Sequence, residues 1–310
     1  MKVIGAVDIG GTKIAVGAVT ETGRILHRME CPTAASEGFA QAMQNTKQML
    51  REVRVQAGAD YEGIGVASPG PIDPYTGVMG EVGTLPGWQG GSIIEELGQE
   101  FGVRVSVEND ADAGALGEAT WGAGRNCSRL IYVTVSTGIG VGIVLSGEIY
   151  RGVDGAHPEI GHQVLDFSGP PCYCGARGCW ETLASGTAMT AWIREQIREQ
   201  NPAGPPLTAG EICDLARAGD GLALLAVERE GFYLGLGLAN LITIFAPEAI
   251  VLGGGVMKSS ALFLDGAREV IRKVATQVPA ERTRVMLAEL GPDTVLAGAA
   301  AGWISKEGQN

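Results

Sequence analysis

Four potential metal ligands lie close together in the middle of the chain, in the segment EIGHQVLDFSGPPCYCGARGCWE at residues 159–181. This segment holds one of the three histidines and three of the six cysteines. Cys172 follows His162 by ten residues, and Cys174 and Cys179 come next in the chain. One histidine and three cysteines form a common ligand set of closed tetrahedral zinc sites with a structural role. The residues alone leave open the alternative of a histidine beside buried thiols.

A glycine-rich turn near the start of the chain, DIGGTK at residues 8–13, could bind phosphate. It is not a P-loop, because it lacks the G-x-x-x-x-G-K-[ST] spacing and joins two strands instead of a strand and a helix. The backbone N–H groups of Gly10 and Gly11 can nevertheless converge on an anion. Thr12 adds a hydroxyl group and Lys13 adds a positive charge. An ordinary hairpin turn is the alternative interpretation.

Two further glycine turns have a similar character. The motif STGIG, which contains Thr137 and Gly138, resembles the first turn, and two such hairpins could hold the β and γ phosphates of a nucleotide. The motif GGGV, which contains Gly254 and Gly255, lies between a predicted strand and a predicted helix. The alternative for this third loop is a tight turn without a ligand.

Strands and helices that could position these turns follow from the apolar pattern. The start of the chain predicts three short antiparallel strands, and residues 130–150 repeat the pattern of strand, glycine turn, strand, turn and strand. Ser36 is the predicted N-cap of the first helix. Further strands are predicted at 63–68, 103–110, 249–256 and 284–288, helices at 36–57, 91–101, 111–121, 185–200, 208–217, 221–246, 259–277 and 293–306, and a loop at 201–206.

The composition argues against several classes of function. The formal net charge is −12 and the chain has no cluster of Lys and Arg, so no nucleic-acid partner is expected. Asp8 interrupts the apolar start, which argues against a signal peptide, and no uncharged apolar run reaches the roughly 18 residues of a membrane span. We therefore expect a cytoplasmic protein without a membrane partner, in which clustered cysteines favour a metal over disulfides.

The motifs DIGGTK, END, STGIG, EIGH and CYCGARGCWE, in this order, resemble the ROK family (repressors, open reading frames and kinases), and most of all its bacterial glucokinases. The resemblance implies an α/β, actin-like or hexokinase-type (ribonuclease H-like) fold with two α/β domains around a cleft. A small domain is expected at 1–112 together with about 292–310, and a large domain that carries the zinc loop at 113–291.

The resemblance also implies the residues of a kinase site. Asp110 matches the family's catalytic base, although by itself it could equally cap the helix that follows. The expected sugar ligands are Gly70, Asn109, Asp110, Glu159, His162 and Glu181. The expected contacts to ATP and Mg²⁺ are Asp8, Gly10, Gly11, Thr12, Lys13, Thr137, Gly138, Gly254 and Gly255. The expected ligands of a structural Zn²⁺ are His162, Cys172, Cys174 and Cys179.

The expected reaction is the ATP-dependent phosphorylation of a hexose at its 6-hydroxyl, with glucose as the first choice. The motif GCWETLASG is similar to the glucokinases, whereas the pair His157–Pro158 before Glu159 is similar to fructokinase-like members. Many members carry an asparagine near a position that is occupied here by Thr84 or Gly83. Fructose and N-acetylhexosamines therefore stay open as substrates. Family members are commonly dimers or tetramers, so a homodimer or homotetramer is expected.

A sugar-binding regulator is the alternative from outside the enzymes. Regulators of this family carry a helix-turn-helix segment before the D-x-G-G-T motif. Here that motif begins at Asp8, so such a regulator would lack a DNA-binding domain.

Overall fold

The computed structural model describes residues 2–197 and 207–307. The predicted loop at 201–206 and the last three residues of the helix predicted at 185–200 lie outside the described residues. The strands are β1 (Val3–Ile9), β2 (Lys13–Thr20), β3 (Ile25–Pro32), β4 (Gly63–Ser68), β5 (Arg104–Asn109), β6 (Arg129–Val135), β7 (Ile139–Leu145), β8 (Glu148–Ile149), β9 (Ala249–Gly253) and β10 (Arg284–Leu287). The α-helices are α1 (Phe39–Ala57), α2 (Ile93–Phe101), α3 (Asp110–Thr120), α4 (Trp180–Leu183), α5 (Gly186–Ile197), α6 (Ala209–Arg217), α7 (Gly221–Phe245), α8 (Leu264–Val274) and α9 (Thr294–Glu307).

The described strands form two five-stranded sheets. In the first, with the order β3-β2-β1-β4-β5, the first three strands of the chain pair antiparallel, and β4 pairs parallel with both β1 and β5. The second sheet has the order β10-β9-β6-β7-β8. The predicted antiparallel meander and its repeat at residues 130–150 are thus confirmed.

Helix α3 matters for the site because its first residue is Asp110. It packs against α9 at very short range, because both helices carry glycine at the contact. A β-carbon on Gly298 would lie 1.8 Å from the carbonyl oxygen of Ala113, and one on Gly117 would lie 2.8 Å from the carbonyl oxygen of Thr294. Only glycine fits where two helices approach so closely. This contact holds the start of α3 against α9, which also packs on the first sheet.

Two predicted helix boundaries are wrong. Ser36 is not an N-cap, because a 3₁₀ turn at Ala35–Glu37 precedes α1, and α1 begins after Gly38, which has φ of 89°. The helix predicted at 259–277 is divided into a 3₁₀ segment, Val256–Leu262, and α8. The division falls at Phe263, whose φ of −139° is far from helical.

The chain forms two compact units. Within the described residues, unit 1 comprises 2–132, 142–158 and 288–307, and unit 2 comprises 133–141, 159–197 and 207–287. The domain boundaries predicted at 112/113 and about 291/292 do not coincide with the limits of these units, and as domain boundaries they stay a prediction. None of the helices in the described part of the chain is both long and apolar enough to cross a membrane.

Candidate active site

The first glycine turn joins β1 to β2 and contains Gly10 and Gly11. The N–H of Gly10 donates to the carbonyl oxygen of Lys13 at 2.9 Å, which closes the turn. Neither glycine has a positive φ, so backbone angle does not require glycine at these two positions. Glycine is required at position 11 because of limited space: a β-carbon there would lie 2.9 Å from the β-carbon of Thr84. Thr84, the residue that departs from the family pattern, therefore lies directly against this turn.

Lys13 was expected to supply positive charge to phosphate, and its side chain is part of a chain of ion pairs. Its ammonium group lies 3.2 Å from the carboxylate of Glu30, which also binds Arg28 at 2.7 Å. Arg28 in turn binds Asp293 at 2.9 Å. Half-exposed pairs of this kind contribute little to stability, so Lys13 can exchange Glu30 for another anion at small cost.

The END motif lies where β5 ends and α3 begins, in unit 1. Asn109 is the N-cap of α3, and its Oδ1 accepts a hydrogen bond from the N–H of Ala111 at 2.8 Å. Asp110 is the first residue of the helix, and its Oδ1 accepts from the same N–H at 2.8 Å. The sequence analysis considered Asp110 as the possible N-cap of α3, but in the structure the N-cap is Asn109. Gly70 lies beside this amide, because a β-carbon there would be 3.4 Å from Asn109 Nδ2.

Asp8 and Asp110 interact through space. Burial, followed by the negative charge of Asp110, raises the pKa of Asp8 to about 7, although Lys13 and Arg28 act in the opposite direction. A carboxylate next to a second carboxylate is a group that a proton or a cation would stabilise. The structure therefore brings together the acidic residue of the first glycine turn and the expected catalytic base.

The second and third glycine turns contact each other in unit 2. The N–H of Gly255 donates to Ser136 Oγ at 3.0 Å. Gly254 has φ of 94°, and a β-carbon there would lie 2.4 Å from the carbonyl oxygen of Val135. Glycine is therefore required at position 254 by both backbone angle and space, whereas a β-carbon on Gly255 would meet nothing within 4 Å.

A cavity of about 510 Å³ opens between these two turns and helices α5 and α6, entirely within unit 2. This volume falls in the range of small-molecule pockets. Thr137 and Gly255 line it, as the sequence analysis expects of nucleotide contacts. The other hydroxyl-bearing lining residues are Ser136, Thr187, Thr190, Thr208 and Ser259. Sequence reasoning missed these five residues, and only Ser136, next to Thr137, carried a local signal.

Glu181, an expected sugar ligand, contacts the second glycine turn. Its Oε2 accepts a hydrogen bond from the N–H of Ile139 at 3.0 Å. The side chain starts from α4, which directly follows Cys179. The potential metal ligands and this carboxylate are thus held by one short segment.

The predicted metal ligands come together. The ligand atoms of His162, Cys172, Cys174 and Cys179 all lie within 4.8 Å of one another. Cys172 Sγ is 3.4 Å from His162 Nδ1, and Cys174 Sγ is 3.6 Å from Cys179 Sγ. A tetrahedral zinc ion with bonds of about 2.3 Å to sulfur and about 2.0 Å to nitrogen would separate such atoms by about 3.5 and 3.7 Å.

His162 is expected to bind both zinc and the sugar, which would require both of its ring nitrogens. In the structure, Nε2 lies 2.9 Å from the hydroxyl of Tyr173, a residue that sequence reasoning missed. Burial raises the pKa of Tyr173 to about 12, and the carboxylates of Glu181 and Glu159 add to the rise. The Tyr173 hydroxyl therefore contacts His162 and lies within electrostatic range of Glu159 and Glu181.

Three known proteins resemble this chain over nearly its whole length. A glucokinase of Thermotoga maritima is 37% identical over 279 residues, which cover 87% of each protein. The crystal structure of a ROK hexokinase from Thermus thermophilus matches 99% of both chains with a TM-score of 0.87 and 34% identity. A ROK family glucokinase from Streptomyces griseus, solved in complex with glucose and AMPPNP, matches 96% of this chain and 98% of its own with a TM-score of 0.79 and 32% identity.

These structural neighbours confirm the expected α/β, actin-like, hexokinase-type fold. The ROK family profile matches residues 4–306. This range includes the two glycine hairpins, the END motif and the cysteine-rich segment. The chain belongs to the ROK family.

Proposed function

We propose that the protein is an ATP-dependent hexose kinase that transfers the γ-phosphoryl group of ATP to the 6-hydroxyl of glucose. The observation that carries the proposal is the placement of Asp110 at the start of α3, in electrostatic contact with Asp8 of the first glycine turn. This arrangement offers a base for a hydroxyl next to a turn suited to phosphate. The similarity to glucokinases from two organisms supports glucose as the acceptor.

Asp110 acts as the base in this proposal. One oxygen of its carboxylate is held by the N–H of Ala111, and the carboxylate is assigned to accept the proton of the sugar's 6-hydroxyl as the hydroxyl oxygen attacks phosphorus. The positive end of the α3 dipole favours the ionised form of this carboxylate. The rest of phosphoryl transfer depends on alignment and charge neutralisation.

Sugar hydroxyls have several ligands in the proposal. Asn109 offers its amide nitrogen on the side where Gly70 leaves room. Glu159, His162 and Glu181 come from the cysteine-rich segment, and their mutual proximity to Tyr173 supports a shared ligand. Carboxylates and imidazole are suitable partners for hydroxyl groups because they accept hydrogen bonds strongly.

ATP is assigned to the glycine turns and the cavity of unit 2. The nucleoside fits the cavity beside Gly255 and Thr137. The phosphates are assigned to Thr137, Gly138, Gly254 and the turn Gly10–Lys13. Mg²⁺, which neutralises phosphate charge in such reactions, is assigned to the neighbourhood of Asp8, whose pKa is raised first by burial and then by the negative charge of Asp110.

Zn²⁺ is assigned to His162, Cys172, Cys174 and Cys179. The spacing of their ligand atoms fits a closed tetrahedral site with no position left for substrate. Its chemistry is therefore structural, and the metal holds the segment that carries Glu159 and Glu181. We also propose a cytoplasmic homodimer or homotetramer, which light scattering after gel filtration would check.

The test is a coupled assay of ADP release with ATP and Mg²⁺ against glucose, fructose, mannose, N-acetylglucosamine and N-acetylmannosamine. The proposal expects the highest kcat/KM for glucose. It also expects that Asp110→Asn lowers kcat by at least about 10²-fold while glucose still binds in calorimetry. Asp265→Asn, which changes an exposed carboxylate of unit 2, is the matched control and keeps full activity. Absence of turnover on every sugar overturns the proposal.

A further inference from the structure

Two buried carboxylates flank the Asn109–Asp110 pair. Glu108 precedes it and is 1% exposed, and Asp112 follows it within the first turn of α3 and is 0% exposed. A buried carboxylate is costly unless a cation or hydrogen-bond donors compensate its charge. The partners of these two acids therefore decide how the segment between them is held.

The partners come mainly from the segment that follows β8. Arg151, 15% exposed, forms an ion pair with Glu108, and its Nη1 lies 3.7 Å from Asp112 Oδ2. His157 Nδ1 lies 3.0 Å from Asp112 Oδ1. Lys306 of α9 lies 2.9 Å from the second oxygen of Glu108. All five residues belong to unit 1.

One guanidinium thus spans the acids on both sides of the expected base. The guanidinium of Arg151 forms a hydrogen bond with Glu108 and places a second nitrogen at ion-pair distance from Asp112, an arrangement that the single ammonium of a lysine cannot reproduce. Asn109 and Asp110 share the N–H of Ala111, so a small rotation of the first turn of α3 would move both side chains together. Contacts to Glu108 and Asp112 oppose such a rotation.

We propose that Arg151 and His157 are positioning residues that hold Asp110 in the orientation required for catalysis. The inference rests on the proposed kinase function. It gives His157 a role that its sequence motif did not suggest, because its imidazole contacts Asp112 of α3. Stability alone is a weak reason for this arrangement, since well-packed apolar residues usually stabilise a protein as much as a buried ion pair.

The experiment measures kcat, the KM for sugar and for ATP, and the thermal midpoint of six proteins. They are the unmodified chain, Arg151→Lys, His157→Gln, Asp112→Asn, the double variant His157→Gln/Asp112→Asn, and Arg125→Lys. Arg125 is the matched control, because it pairs with Glu289 in an exposed ion pair of the same unit. Arg151→Lys keeps the buried positive charge, so this variant is expected to fold.

Positioning predicts that kcat falls at least tenfold in Arg151→Lys and Asp112→Asn, while the KM for ATP stays within twofold of the unmodified value. The kcat of His157→Gln is expected to fall less than that of the other two variants, because an amide can still contact Asp112. The double variant is expected to match Asp112→Asn alone, since both changes remove one interaction. Arg125→Lys is expected to retain full kcat.

A purely structural role predicts a different result. In that case kcat losses follow the loss in thermal midpoint and disappear when the assay is run at a temperature where each variant is fully folded. That outcome, or unchanged kcat in folded Arg151→Lys and Asp112→Asn, overturns the inference. If the unmodified chain phosphorylates no sugar, the proposed function itself is wrong, and the positioning role is overturned with it.

Discussion

The carboxylate of Glu181 occupies the space above Gly138, where a β-carbon would lie only 2.0 Å from Glu181 Oε2. Gly138 is therefore needed in the second hairpin for a reason other than its backbone angle, because its φ is not positive. The same carboxylate oxygen accepts the N–H of Ile139. A residue proposed to bind the sugar thus rests directly on a turn proposed to bind phosphate.

Gly138→Ala is expected to raise the KM for the sugar about tenfold or more with little effect on stability. The added methyl group would meet the end of a flexible side chain, which can move away at small cost, but the hydrogen bond to Ile139 would be lost and Glu181 displaced. Steady-state kinetics and thermal unfolding measure the two effects. Gly255→Ala, at a position with open space, is the comparison for packing, and its sugar KM is expected to stay unchanged. An unaltered sugar KM in Gly138→Ala would contradict the prediction.

Tyr173→Phe is expected to lower the KM for the sugar two- to tenfold without changing kcat. The Tyr173 hydroxyl forms a hydrogen bond with His162 Nε2, which a sugar hydroxyl would have to replace. A net hydrogen bond is worth about 0.5–1.5 kcal/mol, which corresponds to that range. Sugar binding by calorimetry measures the effect directly. A weaker affinity in the variant would show instead that the Tyr173 hydroxyl contacts the bound sugar.

The local features of this molecule could be predicted from its sequence. The two strand–turn–strand repeats follow from apolar runs between glycines, and the cluster of His162 with three cysteines follows from ligand types at suitable spacing. Contacts between distant segments could not be predicted. Thr84 against Gly11, and Ser259 beside Thr137 in one cavity, depend on how helices pack, which no short motif encodes. Lys13 had the right charge, but its pairing with Glu30 required the register of β2 and β3.

Removal of zinc is expected to loosen the segment 163–183 and to weaken sugar binding at least tenfold. The turn around Cys174 is exposed and is closed mainly by its own backbone hydrogen bonds, whereas Trp180 at its end stays anchored because its side chain is fully buried. Hydrogen exchange before and after treatment with a chelator measures the loosening, and elemental analysis is expected to give one zinc per chain. Cys174→Ser is expected to act like the chelator, and Cys127→Ser, outside the cluster, is the control. Freshly purified protein without zinc would contradict the assignment.

Asp8→Asn is expected to stabilise the protein at pH 8 while it reduces turnover. The pKa of this carboxyl is raised to about 7 in the folded state, so the folded protein retains a proton that the unfolded chain releases above about pH 4. The resulting cost grows from about pH 4 to about pH 7, and its removal corresponds to up to about 4 kcal/mol at pH 8. Chemical denaturation at pH 8 and at pH 4 measures the difference, which should vanish at the lower pH. Full kcat in this variant would exclude Asp8 from the reaction.

Glu230→Gln tests the free-energy cost of a buried carboxylate at a position that takes no part in the proposed reaction. Glu230 lies in α7, is 1% exposed, and neither of its carboxylate oxygens has a hydrogen-bond partner among the described residues. Burial raises its pKa to about 8, although the charge of Arg229 acts in the opposite direction. The cost of ionising this group in the folded protein therefore increases from about pH 4.5, the value for an unfolded glutamate, to about pH 8.

The amide variant should accordingly raise the free energy of unfolding by up to about 4 kcal/mol at pH 8 and leave it nearly unchanged at pH 4.5. Because Glu230 takes no part in the proposed reaction, kcat and both KM values are expected to match those of the unmodified protein. Denaturation at the two pH values and the ADP-release assay supply both readings. A gain in stability of equal size at both pH values would mean that the shape or polarity of the amide, and not the buried charge, is responsible. A loss of stability at pH 8 would mean that the ionised carboxylate has a compensating partner, for which the neighbouring Arg229 is the candidate.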